Sequence, residues 1–412
     1  MTDIERYRIP GALRLRLGLL AACLFVVATN GFVIAGLLPE VAHDLGVTPQ
    51  TVGVSITAYA IVVAVVAPAA SIALARVPRV AVLSAGILLV GLGTVLATAA
   101  TAFAPFLVGR NVAGVGGAVL VPAATAAAPS VLPPAFRGRA LAIAGLGFTL
   151  ASAVGSPLGT ALSSLGSWRL SLGVLAGLAV VLAGAVALLV RRLPEPPRIG
   201  LAARFAPLAD GRVLLALGAM VLATASFNIV YIYSSAVTAA ATGGSGVLLA
   251  LLLLVYGVAG IAGTMLAGRL TDRRGSAPVA LGALLGQVLV LGLLAVGAAS
   301  YLLDLPVFAL WGVTAFAVVV PVQARLVGLE PAAAGIVLSW YSTAMYIGIG
   351  LAPVVGGAAL ASGPTAVPLA GAGPPCSPCW CSRPGCASAA RAAPSRPDRA
   401  GPPRPCGRID GR

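Results

Sequence analysis

Between residues 17 and 361 this chain is a succession of apolar runs, each about as long as a bilayer is thick. A helix needs roughly 20 residues to cross ~30 Å of hydrocarbon. In that medium every backbone N–H and C=O must be paired within the protein, which leaves helices or closed barrels. Runs of this length select helices. They lie near Leu17–Leu38, Val52–Leu74, Val80–Ala100, Phe106–Ala128, Ala140–Leu162, Leu170–Val190, Val213–Val237, Val247–Ala267, Pro278–Ala299, Pro306–Val322 and Ala332–Ala361. Only 9% of the 412 residues are charged, against roughly 25% in a soluble domain. The expected class is an all-α membrane protein with eleven spans.

The loops between the runs carry a second signal. Every basic residue other than His43 is an arginine, and the arginines fall in alternate loops, after the second, fourth, sixth, eighth and tenth runs. Arg169 is the exception. Basic loops stay in the cytoplasm, so the N-terminus is expected there, with Glu40, His43, Asp44 and Asp304 on the other side. The formal net charge of +15 is thus a topology signal with some affinity for anionic lipid, and no nucleic-acid partner is expected. Arg14 and Arg16 before an apolar run resemble a signal peptide, but the run is too long and the first helix is expected to be retained. The lysine-free composition, rich in Ala, Gly, Pro and Arg, is what GC-rich codons produce, which points to the inner membrane of a high-GC bacterium.

The basic turns recur. Arg76 and Arg79 follow the second run, and Arg269, Arg273 and Arg274 follow the eighth. Two copies of a six-span unit place the same turn at the same point, as in one large class of secondary transporters. The expected domains are an N-terminal bundle over 1–190, a Pro- and Arg-rich cytoplasmic linker over 191–212, a five-helix C-terminal bundle over 213–361 and a tail over 362–412.

Four strings carry a resemblance. The first is Thr29-Asn30-Gly31-Phe32-Val33-Ile34-Ala35-Gly36-Leu37-Leu38-Pro39 with Asp44-Leu45-Gly46-Val47. The second runs from Gly268 to Gly275, through Arg269, Asp272, Arg273 and Arg274. The third is Arg110-Asn111-Val112-Ala113-Gly114-Val115-Gly116, and the fourth Gly155-Ser156-Pro157-Leu158-Gly159. Over roughly residues 15–361 the chain resembles major facilitator transporters of the drug–proton antiporter group, which holds chloramphenicol-type exporters and sugar efflux permeases. The resemblance implies two pseudo-symmetric bundles around a central cavity. It implies a cytoplasmic gating latch at Gly268, Asp272 and Arg273, with a degraded first-half copy in which Ala75 replaces the aspartate and Arg76 and Arg79 remain. It also ties Arg110 to proton coupling and Gly155, Pro157 and Gly159 to export. Physically, an arginine within a span is costly and faces an interior partner or cavity unless it snorkels to the interface. Small residues let helices approach, and proline bends them.

Polar side chains within the runs are the candidates for a substrate path: Asn30, Asn228, Tyr231, Gln287 and Tyr341, with packing as the competing role for each. The chain departs from its apparent relatives at Gly31, where they place an acid. With no acid in the middle of any run, the coupling candidates are Arg110, Glu40 and Asp44. The implied activity is export of a small molecule, a chloramphenicol-like drug first and a sugar second, by a monomer using protons and alternating access. A non-transporting remnant is the other reading. No nucleophile, base and oxyanion donors cluster as an enzyme requires, so no enzyme is expected, and no cofactor beyond the proton gradient.

Beyond residue 361 no twelfth apolar run follows. The segment is rich in Pro, Cys and Arg, the residues that a hydrophobic helix yields when GC-rich DNA is read out of frame. A frameshift beginning near 370–375 is therefore expected. Cys376, Cys379 and Cys381 lack the ordered four-ligand spacing of a zinc site, and no metal is expected.

Overall fold

The computed structural model describes residues 10–74, 76–133, 136–190, 204–297 and 300–373. Most of the linker and the cysteine-rich tail, including the frameshift and zinc considerations, lie outside them. Among the described residues eleven helices are long and apolar enough to cross a membrane. They are α1 (Gly11–Asp44), α2 (Pro49–Ala70), α3 (Arg79–Thr98), α4 (Phe103–Ser130), α5 (Ile143–Ser164), α6 (Trp168–Leu189), α7 (Gly211–Ile232), α8 (Gly246–Arg274), α9 (Ser276–Val296), α10 (Tyr301–Leu329) and α11 (Ala334–Leu360).

Helix packing repeats with a period of six. The first half pairs α1 with α5, α2 with α4, α3 with α4 and α3 with α6. Adding six to each number gives α7 with α11, α8 with α10 and α9 with α10, all of which pack together. The same rule applied to α3 with α6 asks for a twelfth helix on α9. A short helix, α12 (Ala366–Ala372), lies there, and it also touches α7 and α11, as α6 touches α1 and α5. It buries Val367, Pro368 and Gly371. Ser226 Oγ on α7 donates to Gly371 O at 2.5 Å. The packed chain therefore continues through Ala372, and the expected boundary at 361 is corrected by eleven residues. A proline-interrupted stretch of seven residues was too short to register as an apolar run.

The halves meet along α2 with α11 and along α5 with α8, and small residues set the distance. A Cβ on Gly257 would collide with the Ala153 backbone, and one on Gly350 would lie 3.4 Å from Ala60 Cβ. Thr57 Oγ1 donates to Gly350 O at 2.9 Å. In α5 a π-helical turn over Ala151–Gly155 precedes Ser156-Pro157. Proline supplies no N–H, and a π-turn is a common way for a helix to absorb the misfit.

Two of the boundaries that differ from the sequence expectation involve proline. Pro39 does not end α1, which continues to Asp44. Pro306 does not begin α10, which starts at Tyr301. Proline is tolerated in a first turn, where its missing donor would be unpaired anyway, and a long helix can also carry one further in. At the loop after α8, Gly275 adopts φ 85° as the cap and donates to Thr271 O, in the left-handed region that favours glycine. At the start of α7, Asp210 accepts from Arg212 N at 2.8 Å. That bond and the adjacent guanidinium hold its carboxyl below the usual range.

The buried apolar residues sort by end. At the end holding Glu40, Asp44 and Asp304, one continuous core joins both halves, with Leu37, Leu38 and Trp168 from the first and Ile232, Leu252 and Phe308 from the second. At the arginine-rich end the halves keep separate cores. One holds Leu20, Ile87 and Leu120, the other Val213, Val322 and Val337. Midway along the bundle a smaller cluster still joins the halves, Tyr59, Ala60 and Val63 of α2 meeting Tyr346 of α11.

Candidate functional site

Asn30 and Arg110 are brought together, and each is almost wholly buried. Arg110 lies in the second turn of α4, where glycines at 109, 114, 116 and 117 let α2 and α3 come close. Its Nη1 donates to Asn30 O at 2.8 Å and to Asn30 Oδ1 at 2.5 Å. Asn30 Nδ2 donates to Thr94 Oγ1 at 2.6 Å, and Thr94 donates to Val90 O at 2.6 Å. This chain fixes which way the amide points. The guanidinium carbon sits 4.7 Å from the centre of the Tyr59 ring, a cation–π contact that gains strength away from water. Nε and Nη2 of Arg110 and Oη of Tyr59 have no hydrogen-bond partner. The ion pairs among the described residues, Arg169–Asp44 and Arg212–Asp210, do not include Arg110. A Cβ added at Gly31 would stand 3.9 Å from Tyr59 Cε1, so the position where the resemblance asks for an acid adjoins this cation.

The other two coupling candidates lie elsewhere. Asn30 and Glu40 are ten residues apart on one helix, about 15 Å at 1.5 Å per residue. Glu40 accepts from Ser163 Oγ at 3.0 Å. Asp44 pairs with Arg169, and Trp168 Nε1 also donates to it at 3.1 Å. Arg169 in turn donates to Ala100 O at 2.8 Å. These residues tie the loop ends of α1, α3 and α6 together and form no unit with Arg110.

Tyr231 stands at the junction of the halves. Its hydroxyl donates to Ser156 Oγ across the interface at 2.8 Å. Its ring meets Phe32 at 5.9 Å, Tyr256 at 5.6 Å and Trp311 at 6.5 Å. Tyr256 and Trp311 are 4.3 Å apart. An aromatic cluster from α1, α7, α8 and α10 thus occupies the seam. The remaining path candidates point to other partners. Asn228 donates to Thr224 O within its own helix. Gln287 bridges α9 to α7 through Ala223 O and Ser226 Oγ. Tyr341 belongs to the second-half core at the arginine-rich end.

The export motif packs α5 on α1. Cβ atoms at Gly155 and Gly159 would strike Thr29 and Val33, and Pro157 is buried between them in sequence. In the gating segment Asp272 and Arg273 are exposed on the last turn of α8, Gly268 is half-buried and Arg76 is exposed. Asp272 takes part in no ion pair among the described residues. Arg79 is buried and donates to Ala126 O near the end of α4.

Residues 20–353 match the Major Facilitator Superfamily. The chain belongs to that superfamily. Its relatives include a chloramphenicol resistance protein of Streptomyces lividans, 32% identical over 68% of this chain and 71% of that one. A chloramphenicol efflux pump of Mycobacterium tuberculosis is 31% identical over 83% and 85%, and the inner membrane transport protein YdhP of Escherichia coli K12 is 30% identical over 84% and 88%. A bacterial homologue of the lysosomal transporter Spinster superposes with a TM-score of 0.71 at 18% identity, covering 86% of this chain and 84% of that one. The chain is accordingly a multi-pass membrane transporter with the major facilitator fold.

One buried charge was not among the sequence candidates. Asp304 is 1% exposed, and neither of its carboxylate oxygens has a hydrogen-bond partner. Reading Pro306 as the helix start left Asp304 in a loop. The helix that begins at Tyr301 instead carries it into the shared core beside Val307 and Phe308.

Proposed function

We propose that this major facilitator protein exports a small molecule of the chloramphenicol class across the bacterial cell membrane, as a monomer, by proton antiport. One observation carries the reading. The halves share a single core at the acidic end and keep separate cores at the arginine-rich end. With arginines on the cytoplasmic side, separate cores at that end and a shared core at the other fit an alternating-access carrier held closed outside. The relatives named for chloramphenicol support the substrate class. The aromatic cluster around Tyr231 gives a flat, aromatic solute surfaces to stack on.

A susceptible bacterium expressing the full chain is expected to tolerate several-fold more chloramphenicol and to accumulate less of it, with both effects abolished by a protonophore. Unchanged accumulation at verified membrane expression would sink the drug reading. Sugar counterflow in the same cells would then favour a sugar exporter, and its absence a non-transporting remnant.

A further inference from the structure

We propose that Asp304 is a proton-binding site of the transport cycle, taking a proton from solution at the acidic end when the halves part there and holding it while that end closes. The proposal rests on the reading of the chain as a proton-coupled exporter.

Three observations point to it. First, among the described residues no other carboxylate is buried, and Asp304 lies on α10 one turn before Val307 and Phe308, which belong to the core that joins the two halves. Second, no donor reaches either oxygen. An ionised carboxylate removed from water without hydrogen bonds or a counter-ion is far more costly than the neutral acid. Buried acids in spans are accordingly paired or functional. Third, apart from the helix dipole at the first turn of α10, where Asp304 sits, no side chain packed on α10 supplies a counter-charge. The helical turn Ala239–Thr242 that packs on α10 has no ionisable group. α8 presents only Tyr256 along its acidic-end half, and α9 has none from Gln287 to Val296. α7 contributes Tyr231 and Tyr233, whose hydroxyls are bound to Ser156 and to Pro353 O. On α10 itself Tyr301 donates to Leu248 O at 3.4 Å. Of the basic groups at this end, Arg169 is held by Asp44 and Ala100, and His43 is exposed on the last turn of α1.

The location gives the proton a task. Closing the acidic end buries Asp304, which favours the protonated form. Opening that end rehydrates the carboxyl, which takes a proton from the outer water before the end closes again over the neutral acid. Loss of that proton toward the arginine-rich end, while the halves are apart there, leaves an ion that the closed core disfavours, and the acidic end reopens. Each protonation state thus favours one arrangement of the halves, which is how a bound proton biases a two-state carrier.

Infrared difference spectroscopy on the purified full chain tests the site without any substrate. At neutral pH the wild type is expected to show a carboxylic-acid C=O band that Asp304→Asn removes and Asp304→Glu moves in frequency. Absence of an Asp304-dependent band at neutral pH overturns the proposal. Asparagine has the shape of the neutral acid, so the variant is expected to fold, and the Glu variant reads the site independently. In everted vesicles Asp304→Asn is expected to lose proton-driven chloramphenicol export yet retain counterflow exchange. Export that stays proton-driven in that variant overturns the coupling role. If the wild type exports no chloramphenicol, the functional reading fails, while the infrared band still decides whether Asp304 holds a proton.

Discussion

Each half of the molecule buries one charge in the first two turns of its fourth span, and the halves treat it in opposite ways. In the first half Arg110 is held through one nitrogen by Asn30, oriented by Thr94, and lies over the face of Tyr59. In the second half Asp304, at the matching end of α10, is buried with no donor on either oxygen. The chemistry explains the asymmetry. A guanidinium keeps its proton under all physiological conditions, so its burial requires neutral groups that spread the charge. A carboxyl can shed its charge by taking a proton, so it survives burial with no shell at all. The cation is a fixed feature of this fold and the acid a switchable one.

The sharpest break of that contrast is Arg110→Met. It removes a fixed buried charge with little change in volume. We expect export in vesicles to be largely lost, since charges within spans mark functional sites. Thermal stability should stay level or rise by about 1–2 kcal/mol, because an apolar isostere replaces an incompletely compensated ion. A large loss of stability would mean the Asn30 shell already compensates the charge. Gly257→Val tests whether the halves must touch closely for the cycle to run. The added atoms meet the Ala153 backbone, and overpacking costs roughly 1–3 kcal/mol. Chloramphenicol export should drop while membrane insertion, measured by surface labelling, persists.

A milder change sharpens the comparison. Gly31→Asp sets a carboxylate beside Tyr59, next to the Arg110 guanidinium. Export should become more dependent on pH than in the wild type, since the first half then gains a titratable partner. A pH profile identical to wild type would show that the two groups do not sense each other. Tyr231→Phe deletes the hydroxyl that donates to Ser156. We expect about 0.5–1.5 kcal/mol off the melting stability and a modest rise in KM. Asp44→Asn should matter least, because a half-exposed ion pair such as Asp44–Arg169 contributes about 0–1 kcal/mol.

Much of the architecture was legible from the sequence, because bilayer thickness dictates run length and alternate arginine loops dictate direction. The positions of Asn30 and Arg110 as polar groups inside spans were also legible. Their pairing was not, since residues eighty apart in the chain meet only when α1 and α4 pack. Gln287 and Tyr341 looked like equals of Tyr231 in the sequence. Packing directs Gln287 to Ser226, Tyr341 into one half's core and Tyr231 to the seam. Asp304 was missed for a local reason: a proline that can open a helix was taken to open this one.

The sequence by itself therefore determined the class, the span count, the six-helix repeat and the family motifs, because hydrophobic length and charge placement act one segment at a time. Only the tertiary structure decided which end of the bundle is closed, that Ala366–Ala372 takes the twelfth helix's place, and that one acid lies buried without a partner. Those features depend on what stands opposite each side chain, and a linear pattern does not contain that information.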